Sequence, residues 1–251
     1  MDLGLEGRVA IVTGASRGIG LAVVERLAAE GCEVVAVSRS GADGPGHPVA
    51  ADVTDPAAAG RVVGECLDRF GRLDVLVNNA GGAEPAALER LTDADWQRAF
   101  EFNFFAAVRF AAACAPVMRE RRWGRMVHVA SVSGREPDQR FAPYSAAKAA
   151  LLNFSTSLSQ AYAADGVLSS CVVPGITLTE LVAANAAGTA ARTGSSPDEV
   201  MARQLEHHRV AAGRFGEPGE VAAAVAFLAG EPAAWITGAT LEVDGGTLRS
   251  V

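Results

Sequence analysis

A phenol, an amine and a hydroxyl stand at spacings that allow proton chemistry. In Tyr144-Ser145-Ala146-Ala147-Lys148 the tyrosine and lysine occupy positions i and i+4, so on a helix they share one face and the ammonium can lie beside the phenol. A cation there favours phenolate and lowers a pKa that starts at about 10. Ser131 follows the apolar run Arg125 to Ala130. If that run is a strand of a parallel sheet, Ser131 sits at the edge that faces the ligand crevice, and the next helix can return Tyr144 to the same edge. A third feature, Thr13-Gly14-Ala15-Ser16-Arg17-Gly18-Ile19-Gly20, joins an apolar run to a helical stretch. Glycines at a strand-to-helix turn let the backbone approach a pyrophosphate held at the helix N-terminus. The spacing is GxxxGxG, not the commoner GxGxxG.

These groups require elements to position them. Short β-branched runs alternate with helical stretches, which implies βαβ units and a parallel sheet. The strands fall at Val9 to Val12, Glu33 to Val37, Val49 to Asp52, Asp74 to Val77, Arg125 to Ala130, Leu168 to Val173 and Thr240 to Val243. Helices fit Ile19 to Glu30, with Gly31 after its end, Pro56 to about Phe70, a long one from the cap Thr92 to about Arg121, Pro143 to Ala164, and Glu217 to Ala229. Ser38 to Pro48 is too rich in Gly and Pro for a helix. The segment at about 176–214 interrupts the rhythm with Ala/Gly/Ser-rich sequence around one clear helix start, Ser196 as N-cap and Pro197 as N1. An insertion after a strand's C-terminal end is where a substrate lid would sit. The expectation is a single doubly wound α/β Rossmann domain spanning 1–251, with a parallel sheet of about seven strands.

The order and spacing of these blocks resemble the classical short-chain dehydrogenase/reductase family over essentially the whole length. The matching blocks are Thr13 to Gly20, Asn78-Asn79-Ala80-Gly81, Asn103, Ser131, Tyr144 with Lys148, Pro174-Gly175 with Thr179, Arg214 to Pro218, and Val243 to Gly246. The resemblance implies interconversion of a ketone and a secondary alcohol. Tyr144 would be the general acid or base, and Ser131 would bind the carbonyl oxygen. Lys148 would tune Tyr144 and hold the nicotinamide ribose, and Asn103 would hold a water in a proton relay. Gly14, Ser16, Arg17, Gly18, Ile19 and Gly20 would form the pyrophosphate turn. Asp52 and Val53 would meet the adenine, Asn79, Ala80 and Gly81 the adenosine ribose, and Pro174, Gly175, Ile176 and Thr179 the carboxamide and phosphates. NAD-preferring relatives carry an acid at the end of the second strand, whereas here Ser38 is followed by Arg39, and Arg17 precedes the second glycine. Two guanidinium groups suit a 2′-phosphate, so the implied cofactor is NADP(H). The resemblance also implies a homotetramer, or a dimer.

Composition narrows the classes. With 22 basic and 29 acidic residues the net charge is −7, which disfavours nucleic acid or an anionic membrane as partner. The N-terminus has no apolar signal segment, and no apolar run is expected to reach the roughly 18 residues of a membrane span. Four scattered cysteines without a CxxC pair fit a reducing, cytoplasmic setting. Glycine, at 27 of 251 residues, exceeds its average share of about 7%.

Other groups carry rival readings. A metal site at His207-His208 is disfavoured because adjacent helical residues lie on different faces, and His128 reads as a structural histidine with its hydrogen bonds satisfied. Arg135 or Arg140, between Ser131 and Tyr144, could bind a polar or anionic substrate group. The basic run Arg119 to Arg125 could dock an acidic carrier protein, as in β-ketoacyl-carrier-protein reductases, although Asp165 stands where a base would help. A non-catalytic NADP(H)-binding regulator is the alternative from another class, disfavoured because Tyr144, Lys148, Ser131 and Asn103 are all present.

Overall fold

Residues 1–41 and 44–249 are described by a computed structural model. Seven parallel strands form one sheet in the order β3-β2-β1-β4-β5-β6-β7. They are β1 (Val9–Thr13), β2 (Glu33–Ser38), β3 (His47–Ala50), β4 (Val75–Asn78), β5 (Gly124–Val129), β6 (Val167–Pro174) and β7 (Thr240–Val243). The chain order reverses between β1 and β4, which opens a crevice at the C-terminal strand edge.

The central strands are Val-rich and buried on both faces, as an all-parallel sheet requires. Their alternation divides the core. Ala10, Val12 and Val77 face one side with Leu27 of α1 (Gly18–Ala29) and Val225 of α8 (Pro218–Ala229). Val9, Ile11 and Leu76 face the other with Val62 of α2 (Ala58–Phe70) and Phe110 of α4 (Ala106–Glu120). At the opposite edge from the crevice, the buried Asp74 carboxylate ties β1 to β4. It accepts from Val9 N at 2.9 Å, Arg72 Nε at 2.7 Å and Arg8 Nη1 at 3.3 Å.

Several elements differ from expectation. β3 begins earlier, at His47, because its parallel register against Val35 to Ser38 extends over Pro48, which an edge strand tolerates. The helixless link from Ser38 to Pro48 includes residues 42 and 43, which lie outside the described residues. The long helix beginning after the Thr92 capping box is continuous over Asp93–Glu120 but contains a π-helical stretch, Glu101–Phe105, between α3 (Asp93–Phe100) and α4. One window of this helix is long and apolar enough to cross a membrane by hydropathy. Its buried residues Phe110, Cys114 and Met118 instead pack on the sheet.

Beyond β6 there are two helices, not one: α6 (Glu180–Thr193) and α7 (Pro197–His208). The first has no apolar stripe to announce it and buries only Ala186 and Ala190; Thr179 caps it by accepting from Val182 N. The second starts at the expected Ser196–Glu199 capping box.

Candidate active site

The crevice edge of the sheet opens into a cleft of about 960 Å³. Its walls include every residue expected to touch a dinucleotide, from Gly14 through Thr179, together with Ser131. Asn103 lies behind the wall.

The glycine turn is fixed from below. Thr13 Oγ1 accepts from Asn79 N at 3.0 Å and Ala80 N at 3.1 Å, and Asn79 Nδ2 donates to the carbonyls of Thr13 and Gly14. The ends of β1 and β4 are thereby locked at the switch point. At Gly20 a Cβ would lie 2.1 Å from the Gly14 carbonyl oxygen, so only glycine lets the turn fold back onto the first residues of α1. At the end of β2 the Ser38 hydroxyl is buried without a hydrogen-bond partner among the described residues. Arg17 and Arg39 are exposed beside it on the cleft wall and make no ion pair among the described residues. A closely approachable backbone, an orphaned hydroxyl and two cations fit the phosphates and ribose of a nicotinamide dinucleotide. Asp52, next to Val53, accepts from Thr54 N and Oγ1, which holds its carboxyl below the usual range.

The proton-handling groups converge from four elements. Tyr144 and Lys148 lie on α5 (Ala142–Tyr162), and the Lys148 ammonium is 5.7 Å from the centre of the Tyr144 ring. Lys148 is buried and donates from Nζ to the Val129 carbonyl at 2.7 Å, so the end of β5 positions it. Burial pulls its pKa down to about 8. The expected lowering of Tyr144 is not what the environment produces. Burial raises the phenol above its ordinary value, with the Ser131 hydroxyl opposing the rise. Ser131 caps a short helical turn by accepting from Ser133 N at 3.1 Å.

Asn103, in the π-helical stretch, clamps the loop after β4. Its Oδ1 accepts from Gly82 N at 2.9 Å, and its Nδ2 donates to the carbonyls of Gly82 and Ala99. Gly81 is wedged between these groups, since a Cβ there would lie 2.8 Å from Asn103 Oδ1 and 3.2 Å from Lys148 Nζ. The side chain that the resemblance linked to a bound water thus spends its amide hydrogens on backbone carbonyls, and its contact with Lys148 runs through Gly81.

His128 is wholly buried. Its Nδ1 meets Asn78 Nδ2 at 3.2 Å, while Nε2 has no partner among the described residues. It is therefore only half satisfied, and burial together with the nearby Lys148 drives its pKa down to about 3. Arg135 turns away from the cleft to pair with Glu242 at 2.9 Å. Arg140 lines the cleft, but Asp138 neutralises it at 2.6 Å. Of the basic run, Arg119 and Arg122 both pair with Asp165, and Arg125 lies 3.7 Å from Glu231.

Sequence reasoning missed Gly134, where a Cβ would meet the Lys148 carbonyl carbon at 2.9 Å. Its signal was a glycine between Ser131 and Tyr144. It also missed Gln204 and His208 of α7, which reach the cleft although nothing in their own spacing marks them.

A family model described as short chain dehydrogenase matches residues 8–190. The 3-oxoacyl-[acyl-carrier-protein] reductase of Vibrio cholerae is 39% identical, over 97% of this chain and 98% of that protein. Its Escherichia coli counterpart is 38% identical over the same shares. Among solved structures, L-sorbose reductase from Gluconobacter frateurii, complexed with NADPH and L-sorbose, superposes with a TM-score of 0.93 at 33% identity and covers 100% of both chains. Aldohexose dehydrogenase from Thermoplasma acidophilum gives a TM-score of 0.90 at 31% identity, over 98% of this chain and 96% of that one.

Proposed function

The chain belongs to the short-chain dehydrogenase family, and from that premise we propose an NADPH-dependent reductase that converts a ketone to a secondary alcohol, with the reverse reaction available. The observation that carries this reading is the convergence of Ser131, Tyr144 and Lys148 on one wall of the cleft whose other wall is the Gly14–Gly20 turn. A bound nicotinamide supplies hydride chemistry at carbon; the remaining steps fall to the protein. Arg17, Ser38 and Arg39 bind the adenosine end and favour a 2′-phosphate. Ser131 and Tyr144 hydrogen-bond the substrate oxygen where negative charge develops. Tyr144, held protonated by burial, delivers a proton to that oxygen. Lys148 supplies a nearby positive charge, and Asn103 holds the Gly81–Gly82 backbone against it.

We place the 176–214 segment as the substrate lid, and the enzyme as a homotetramer in a reducing, cytoplasmic setting, which four buried free cysteines suit. The similarity to 3-oxoacyl-carrier-protein reductases supports a second reading, reduction of a carrier-bound β-ketoacyl group. Against it stands the basic run, whose Arg119 and Arg122 are already paired with Asp165. The test is NADPH oxidation followed at about 340 nm, where reduced nicotinamide absorbs, with a panel of ketones and acyl thioesters. Turnover is expected, and Tyr144→Phe is expected to abolish it. Turnover that survives the substitution would remove Tyr144 from the mechanism.

A further inference from the structure

The cleft does not end at Tyr144. Beyond it the walls are the β5–α5 loop, with Asp138 and Arg140, and α7, with Gln204 and His208. The two walls are joined where Arg140 Nη2 meets His207 Nε2 at 2.9 Å. We infer that this end of the cleft is a subsite for the hydroxyl groups of a neutral polyhydroxylated ketone, a substrate class that deepens, and rests on, the ketone-reductase reading.

The argument is a balance of donors, acceptors and charge. Gln204 Oε1 is buried with no hydrogen-bond partner among the described residues. A buried acceptor left unmade costs about 1–3 kcal/mol, which a ligand donor placed here would recover. It requires a donor. Asp138 adds negative charge more than a free acceptor, since both its oxygens already accept from Arg140 N, Nε and Nη2. It is mostly buried and firmly ionised by Arg140, which binds it through Nε and Nη2. His208 is half-buried, and its surroundings hold it below the ordinary histidine pKa. It is therefore neutral and offers one donor and one acceptor.

The charge of Arg140 is spent on Asp138. Arg192, a cleft-lining cation on α6, has no carboxylate partner among the described residues and donates to Thr189 Oγ1, but it is exposed, so water screens its charge. A carboxylate entering here would face an ionised acid and an acceptor oxygen without an uncommitted buried cation. An alkyl chain would leave Gln204 Oε1 and His208 unpaired. Hydroxyl groups, which both donate and accept, satisfy all of them.

The experiment compares kcat/KM with NADPH for erythrulose and fructose against 2-butanone and 2-hexanone, with acetoacetate and acetoacetyl-coenzyme A as the anionic and thioester arms. The hydroxylated ketones should exceed their alkyl counterparts by about tenfold or more. Gln204→Leu should lower that preference about tenfold, mainly through KM. Gln204→Glu, which keeps an acceptor, should retain part of it. NADPH affinity and Tm serve as controls, because Gln204→Leu removes an unpaired buried acceptor and should not destabilise the fold. Equal or greater kcat/KM for the alkyl ketones, the anion or the thioester overturns the subsite while leaving the reductase intact. So does a preference that Gln204→Leu does not change. No turnover with any carbonyl by the intact enzyme overturns the reductase reading and the subsite with it.

Discussion

At Lys148 and Tyr144 the effects of burial and charge oppose each other, and their magnitudes set a pH profile. Burial lowers Lys148 to about 8 and raises Tyr144 above its ordinary value. The phenol is then protonated across the neutral range, ready to act as an acid, and the ammonium is the first of the two to lose its proton as pH rises. The kcat/KM for ketone reduction is expected to be level through neutrality and to fall on an alkaline limb near pH 8. In Lys148→Arg, which keeps its charge, that limb should vanish whatever the residual rate; a limb that persists assigns it to another group. Cofactor choice is also decided by single residues. Arg17 and Arg39 are exposed, so each contact with a 2′-phosphate is partly screened. Removing both as Arg17→Ala with Arg39→Ala should still raise the NADPH KM by about tenfold or more, or about 1.4 kcal/mol. The NADH KM should barely move. Equal effects on the two cofactors would refute discrimination by these arginines.

Among the elements, the strand-to-helix turn gives the sharpest expectation, because a Cβ at Gly20 would sit 2.1 Å from a backbone oxygen that Asn79 also holds. Neither atom is the end of a flexible chain, so Gly20→Ala must shift the start of α1. A loss of roughly 1–3 kcal/mol in stability follows, with NADPH affinity down more than about tenfold. Thermal melts and NADPH titration check this, and wild-type values for both would show the turn to be pliant. The turn was legible in the sequence because strand, glycines and helix all announce it locally. The same holds for α5, whose i, i+4 spacing survives folding unchanged. What was not legible depends on tertiary contacts. α6 is held by its cap and a few small residues instead of an apolar stripe. The π-helical stretch at Asn103 reflects packing, as the clamp on Gly82 shows. The pKa direction of Tyr144 follows from burial, which the spacing of Tyr144 and Lys148 does not encode. Gln204 and His208 reach the cleft only because α7 folds over it.

For the whole molecule, a buried charge cluster bears on stability and an uncovered aromatic surface on the assembly proposed above. Burial works to raise Asp74, but Arg72, the Val9 amide and Arg8 outweigh it and hold the carboxyl below its ordinary 3.8. A depressed carboxylate stabilises the fold fully above 3.8 and ceases to do so as pH falls through the lower folded-state value. Asp74→Ala should therefore cost roughly 3 kcal/mol near neutrality, by stranding the Arg72 guanidinium and the Val9 amide, while Arg8 keeps Glu231. The gap in Tm between variant and wild type should narrow only below about pH 3.8; a gap that closes by pH 5 would show that the charge is not the source. That aromatic surface lies along the helix Asp93–Glu120, where only 39% of the most apolar window is buried. Phe105 is 43% exposed there, with the Phe104 ring 5.3 Å from it and Phe154 of α5 beyond. In the proposed tetramer, Phe105 and the half-buried Phe104 beside it would be covered by another copy of this chain. Sedimentation at micromolar concentration should show a tetramer. Phe105→Asp, which places a charge on the face without touching the cleft, should shift the population to smaller species while NADPH binding persists. A monomeric wild type would overturn the assembly, and an undiminished tetramer in Phe105→Asp would move the interface to another surface.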